Sequence, residues 1–258
     1  MPAGRKNMKR ILTIILCVLL VASVTAGCNK KVVGSGTTES STKSEATQPA
    51  KTAETADYQP KSTDALLSIN DVPKQNLDAA DAEYQKKAPE NGEEVAVVHT
   101  NYGDISFKFF PEVAPMAVTS FKALAKAGRY DATIFHRVTA PATDNGMGVI
   151  QGGDYTNFNG TGGGSAYGEE YDIEISDYLS NIEGSVAMAK TNMPKSIGSQ
   201  FYINYTNNNF LDGGYTVFGQ VFEGMDVVNE IAKVKVDSSR KPVKDVVVES
   251  IEIVPYAK

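Results

Sequence analysis

The sequence predicts a mainly β domain, a closed or nearly closed barrel, carried behind a long polar tether. Three observations point there. Strand-like runs recur at turn-punctuated intervals: VAVVHT, ISFKFF, TIFHRV, GVIQGGD, GSVAMAK, SQFYINY, YTVFGQVF and VVVESIEIV. Only two stretches, APMAVTSFKALAKAG and GMDVVNEIAK, space their apolar residues as a helix does. Ahead of both classes lies a Ser/Thr/Lys/Glu-rich segment with hardly any large apolar residue, which cannot bury enough surface to offset chain entropy.

The chain starts with MPAGRKNMKR, four basic residues and no acid, and continues through ILTIILCVLLVASVTAG without a charge. An apolar run this short is marginal for crossing a bilayer of ~30 Å. A basic start, an apolar middle and small residues at the end read as a secretory leader over residues 1–27. Thr25-Ala26-Gly27-Cys28 resembles a bacterial lipobox, in which the cysteine takes a diacylglyceryl group and becomes the new N-terminus. Lipidation of Cys28 would hold the protein at the extracytoplasmic face of the cell membrane, each buried CH₂ contributing about 0.8 kcal/mol. The other cysteine, Cys17, falls in the leader, so no disulfide is expected and the domain must be held by its core. Residues 28–92 read as the lipidated cysteine and a disordered linker, interrupted late by Pro73 and Pro89.

The folded domain is expected over 93–258. VAVVHT, the turn NYGD and ISFKFF form a hairpin. Pro115 opens the first helix, with Ala117, Val118, Phe121, Leu124 and Ala125 on one face and Gly128 as its stop. GMDVVNEIAK is the second helix, and VVVESIEIV closes the chain as a strand.

Composition and motifs exclude several chemistries. A net charge of −6, more acidic once the basic leader is removed, gives no support to nucleic-acid binding. Two histidines and no C-x-x-C pair argue against a structural zinc site, and no metal is expected. NGTGGGSAYG is glycine-rich but lacks G-K-[ST] and G-x-G-x-x-G, so it is a turn-rich loop rather than a phosphate cradle. No G-x-S-x-G elbow occurs.

What remains is an ordered series: FHRV, VIQGGD, NGTGGGSAYG, SVAMAKT, GSQFYI and FLDGGYTVFGQV. Each alone is a plausible strand or turn. In this order, from about Val95 to Val254, they resemble the cyclophilin-type peptidyl-prolyl cis–trans isomerases. The resemblance implies a closed eight-stranded antiparallel β-barrel capped by two α-helices, no cofactor, and proline-containing polypeptides as partners, here exported ones. The enzyme is expected to act as a monomer.

The resemblance also assigns residues. Arg137 would donate to the prolyl nitrogen as the amide twists. Gln151 and Gln200 would donate to the substrate carbonyl and backbone. Gly160, Ala189 and Lys190 would lie along the groove, and Val149, Met147, Tyr202 and Leu211 would receive the proline ring. Phe210 and Tyr215 stand where animal forms have tryptophan and histidine, which implies weaker ciclosporin binding. His136 would be a structural hydrogen-bonder. Two departures from the family pattern concern the pocket. Gly148 stands where a phenylalanine is usual, and the stretch TAPATDNGMG lengthens the interval from Arg137 to Gln151. Either Met147 or another residue of TAPATDNGMG folds back to line the pocket, or the pocket is more open and catalysis weaker. The rival reading is a proline-peptide-binding chaperone module with little turnover. A purely structural barrel would bind no proline peptide at all.

Overall fold

The structure, a computed structural model of the chain, describes residues 58–193 and 195–258. The leader, Cys28 and the first part of the expected tether lie outside the described residues. Nine strands form one sheet: β1 Glu94–Thr100, β2 Gly103–Phe109, β3 Thr133–Ile134, β4 Arg137–Val138, β5 Val149–Gly152, β6 Ser185–Met188, β7 Phe201–Asn204, β8 Val217–Glu223 and β9 Val247–Pro255. Their order is β3-β9-β1-β2-β8-β6-β7-β5-β4, and every paired neighbour is antiparallel. Two helices, α1 Pro115–Lys126 and α2 Met225–Ile231, complete the domain.

The expected closed, eight-stranded barrel is corrected to an open, curled sheet of nine strands. The opening lies between β3 and β4, which are consecutive in the chain but do not pair. The backbone groups that would close the seam are used elsewhere: Phe135 N–H donates to Val246 O and Val138 N–H to Arg240 O. The segment 240–246 thus takes the bonds that closure would have required.

The β1–β2 hairpin forms as expected, with Thr100 opposite Gly103. The five apolar residues expected on the inner face of α1 are all buried. Phe121 sits among Phe107, Phe109, Tyr130, Phe201 and Phe218, with ring centroids 5.0–6.0 Å away. Such rings dominate the apolar burial that holds a domain without disulfides. Ala114 offers no side-chain cap to α1. Glu174, far along the chain, supplies one instead: its two oxygens accept from Met116 and Ala117 N–H, each at 3.0 Å. At the start of α2, Gly224 has φ 88°, and a Cβ there would approach Asp104 O to 2.3 Å, so only glycine fits the crossing.

The second part of the expected linker is also different. Residues 58–92 run as a strap across the domain rather than away from it. Tyr58 packs on Phe158 and donates to Asp245. Lys61 Nζ donates to the carbonyls of Gly128, Arg129 and Asp131, just past the C-terminus of α1. Leu66 and Leu67 N–H donate to Ala166 O, and Asn76 N–H to Glu112 O. Ala80 and Gln85 are buried. These anchors, polar and apolar, are single contacts at wide spacing, so the strap keeps a linker's composition while being part of the fold.

Candidate active site

Five strands bring three of the expected residues, Arg137, Gln151 and Tyr202, into one row with Ala187 and Val217. Antiparallel pairing sets Arg137 opposite Gln151, Gln151 opposite Tyr202, Tyr202 opposite Ala187, and Ala187 opposite Val217. Directly paired residues share a face of the sheet. The next row, Val138, Ile150, Ile203 and Val186, faces the opposite way and is buried in the main core. The alternation that builds the core therefore also aligns the site. Val149, two residues before Gln151, shares its face.

This face opens into a pocket of about 300 Å³ lined by Arg137, Gln151, Val149, Met147, Tyr202, Leu211, Tyr215, Gly160, Ala189, Lys190 and His136. Asn159 and Ser239 line it as well, and neither was singled out by the sequence. Phe210 is not among the lining residues; it is 62% exposed on the 3-10 turn Asn209–Leu211. The floor is apolar, with Val149, Ala187, Tyr202 and Val217 packed together with Met147, Leu211 and Tyr215. Tyr215 meets Tyr202 edge-on at 5.9 Å, and Lys190 Nζ lies 5.4 Å from the Tyr215 ring.

One edge of the pocket is a directed chain of hydrogen bonds. Arg137 Nη1 donates to Gln151 Oε1 at 3.1 Å, and Gln151 Nε2 donates to Gln200 Oε1 at 3.0 Å. Gln200 Nε2 then donates to the carbonyls of Gly160 and Gly162, both at 2.9 Å. Because guanidinium can only donate, it fixes which way each amide points. Gln151 retains an N–H beyond this chain, whereas both N–H groups of Gln200 are used. Gln200 therefore serves as the brace of the 159–163 loop in this arrangement, not as the substrate donor that was expected. It also lies against a second recess, which shares Gln151, Gly160, Ala189 and Lys190 with the pocket.

The expectation that His136 is a structural hydrogen-bonder is corrected. Its side chain is buried, and among the described residues neither ring nitrogen has a partner. It works by filling space against Gly160, where a Cβ would come within 2.8 Å of Nε2 and where φ is 90°. Burial lowers its pKa to about 4, with the Asp154 charge opposing the shift and Arg137 and Lys241 adding to it. The imidazole is thus neutral near pH 7.

The glycine loop is organised by Asp154, which is fully buried. Its carboxylate accepts from the N–H groups of Thr156, Asn157, Asn159, Gly160 and Gly162 and from the Thr156 hydroxyl. Burial pushes this carboxyl up, but the backbone donors outweigh it and hold the pKa below the usual range.

The stretch TAPATDNGMG is ordered by two charges. Asp144 accepts from Ala140 N–H at 2.9 Å and the Thr143 hydroxyl at 2.8 Å. It also pairs with Arg240 Nε at 2.7 Å. Burial acts to raise the Asp144 pKa, yet these bonds bring it down to about 2. Thr139 Oγ1 donates to Met147 O and so turns Met147 toward Val149. A side chain at Gly148 would be crowded: a Cβ there would meet Thr206 Oγ1 at 2.5 Å and the Tyr205 ring at 3.0 Å, so these side chains would have to shift to admit the usual phenylalanine. Met147, which does line the pocket, takes that part of the wall.

A sequence profile described as cyclophilin-type peptidyl-prolyl cis-trans isomerase/CLD matches residues 95–253. A protein of Staphylococcus saprophyticus, named as a peptidyl-prolyl cis-trans isomerase, is 38% identical over 193 residues, covering 64% of this chain and 94% of that protein. A counterpart of the same name in Staphylococcus haemolyticus is 37% identical over 196 residues, covering 65% and 94%. Among solved structures, a cyclophilin-type peptidyl-prolyl cis-trans isomerase of Cryptosporidium parvum, crystallised in the presence of the dipeptide Ala-Pro, superposes with a TM-score of 0.58 at 35% identity, covering 63% of this chain and 99% of that one.

Proposed function

The chain belongs to the cyclophilin-type peptidyl-prolyl cis–trans isomerases, and from that premise we propose that it accelerates X–Pro isomerisation in exported polypeptides, with Arg137 as the donor that favours the twisted amide. The observation that carries this reading is the placement of one guanidinium beside a pocket with an apolar floor. A planar X–Pro amide resists rotation with a barrier of ~18–20 kcal/mol and isomerises unaided in tens to hundreds of seconds. Rotation makes and breaks no bond to another atom, so catalysis is differential binding of the twisted state. As the amide twists, the prolyl nitrogen becomes pyramidal and gains a lone pair. Arg137, permanently charged and planar, can donate to that lone pair far better than to the planar nitrogen. Gln151, its carbonyl held by Arg137, keeps an N–H for the substrate carbonyl.

The neutral His136 fits this reading, since no proton need be transferred. Met147 fits it as well, because it completes the wall that a weak binding module would lack. The Ala-Pro present with the Cryptosporidium protein supports proline peptides as the substrate class. The direct test is isomerisation of Pro-containing peptides by the full-length chain, followed by a protease-coupled assay or NMR exchange. Binding without acceleration would favour the chaperone reading, and no binding would favour a purely structural barrel.

We propose further that the leader and Cys28 place the enzyme, as a monomer, on the extracytoplasmic face of the cell membrane. Among the described residues no helix is long and apolar enough to cross a membrane, and the anchor invoked here is the lipid. Cells grown with radioactive palmitate should label the parent protein and not Cys28→Ser. An unlabelled parent protein removes the anchor from the proposal.

A further inference from the structure

The strap lies outside the matched family region of residues 95–253, yet it reaches the wall of the pocket. We propose that Gln85 is a positioning residue for the isomerase site, acting through Ser180 and Asn181 on Tyr202 and on the turn that carries Leu211. This inference rests on the reading of that pocket as the proline site.

The Gln85 amide is buried and grips both backbone groups of one residue. Its Oε1 accepts from Ser180 N–H at 2.9 Å, and its Nε2 donates to Ser180 O at 2.8 Å and to Gln220 Oε1 at 3.0 Å. Ser180 is thereby fixed as a neighbouring strand would fix it. The contact continues inward. Ser180 Oγ donates to Asp212 Oδ2 at 2.5 Å, while Asn181 N–H and Nδ2 donate to Asp212 Oδ1 at 2.7 and 3.0 Å. Asp212 directly follows Leu211, whose side chain lines the pocket. On the other side, the Tyr202 hydroxyl donates to Asn181 Oδ1 at 2.8 Å, in a fully buried contact.

Two pocket residues from different elements are therefore held by a single segment, 180–181, and that segment is held by the strap. Packing runs in parallel. Ala80 belongs to the apolar cluster that contains Val149, Ala187, Tyr202 and Val217, with Tyr84 packed against it. Tyr84 also stacks on Phe110 of that cluster at 5.1 Å. Buried amide bonds of this kind become costly when one partner is removed, because the remaining donor or acceptor is left unpaired.

Loss of the clasp leaves the Arg137 edge intact and loosens only the apolar wall, which the planar and twisted substrate meet alike. Such a change raises KM and leaves kcat in place. In the full-length chain, Gln85→Ala is expected to raise KM for a proline peptide by about fivefold or more, with kcat changed less than about twofold. In protein labelled with 3-fluorotyrosine, the fluorine resonance of Tyr202, assigned by its absence in Tyr202→Phe, should shift as well. Gln75→Ala is the control: it removes another strap anchor, the 2.9 Å bond to Ile175 O, and should leave KM and that resonance unchanged. An unchanged KM and resonance in Gln85→Ala would overturn the proposal, as would an equal change in Gln75→Ala. If Gln85→Ala does not fold, Gln85→Glu replaces it, with the same expected and overturning results, because it keeps the acceptor for Ser180 N–H and loses both donors. The resonance does not depend on turnover, so an inactive parent protein would sink the functional reading without deciding this one.

Discussion

Arg137→Ala is expected to lower kcat/KM for X–Pro isomerisation by about 10²–10³-fold, the loss of ~2.7–4 kcal/mol seen when a donor to a developing charge is removed. The fall should lie in kcat, because the bond is made in the twisted amide and barely in the planar one. Stability should change little. Arg137 is half-buried at the pocket edge, and its guanidinium donates to Gln151. Arg137→Lys should restore only a small part of the rate. An ammonium keeps the charge but cannot hold Gln151 Oε1 and point a second, coplanar N–H at the prolyl nitrogen. Gln151→Ala should cost less than Arg137→Ala, and the double variant should fall short of the product of the two, since each residue orients the other. Single-turnover NMR exchange on one peptide series resolves these terms. An Arg137→Ala enzyme as fast as its parent would eliminate the donor mechanism while leaving the pocket assignment standing.

The parts of this arrangement that were legible in the sequence are those encoded by local period. The inner face of α1, from Ala117 to Ala125, follows directly from the 3.6-residue spacing, and the β1–β2 hairpin from alternation around NYGD. The row Arg137–Gln151–Tyr202 became legible only through the resemblance, because its members stand 14 and 51 residues apart in the chain and meet by strand pairing. Period could not reveal the open seam. β3 and β4 have two residues each, and what decides their pairing is the 240–246 segment about a hundred residues later. The strap was hidden for a related reason. Tyr58, Lys61 and Gln85 are single anchors in a polar stretch, and single anchors leave no periodic trace. For TAPATDNGMG the missing information was Arg240. The loop looks loose until its partner, 96 residues on, pairs with Asp144. Gln200 shows the converse: the resemblance marks the residue, but its donors are taken by the carbonyls of Gly160 and Gly162.

The bond pattern of the glycine loop makes Asp154 a side chain whose replacement should damage the fold strongly. Asp154→Asn preserves size but replaces one acceptor oxygen with a donor. One oxygen now serves Asn159, Gly160 and Gly162 N–H, and the other serves Thr156 and Asn157. Whichever way the amide turns, an N–H faces other N–H groups. Hydrogen bonds to a charged group are worth about 1.5–3 kcal/mol each, so a loss of ~3 kcal/mol is a conservative expectation. For a domain of this size that is a drop of about 6–12 °C in the thermal midpoint at pH 7. Activity should fall too, because the loop supplies the two carbonyls that brace Gln200. The pH dependence identifies the cause. Asp154 is held below the usual carboxylate range, so its contribution is fully present above the unfolded value of ~3.9 and is lost as pH falls through the lower native value. The gap between parent and Asp154→Asn should therefore persist from neutral pH down to about 4, widening slightly as His136 titrates, and close below it. His136 acts in a different window. Its native pKa of about 4 lies below the ordinary 6.5, so the unfolded chain takes up a proton first, and stability falls between those two values in the parent. In the variant that fall should be slightly deeper, since the Asp154 charge that raises the His136 pKa is gone. Thermal midpoints recorded from pH 2 to 7 separate the two windows. If Asp154→Asn melts with its parent at pH 7, the loop is held by something other than the carboxylate.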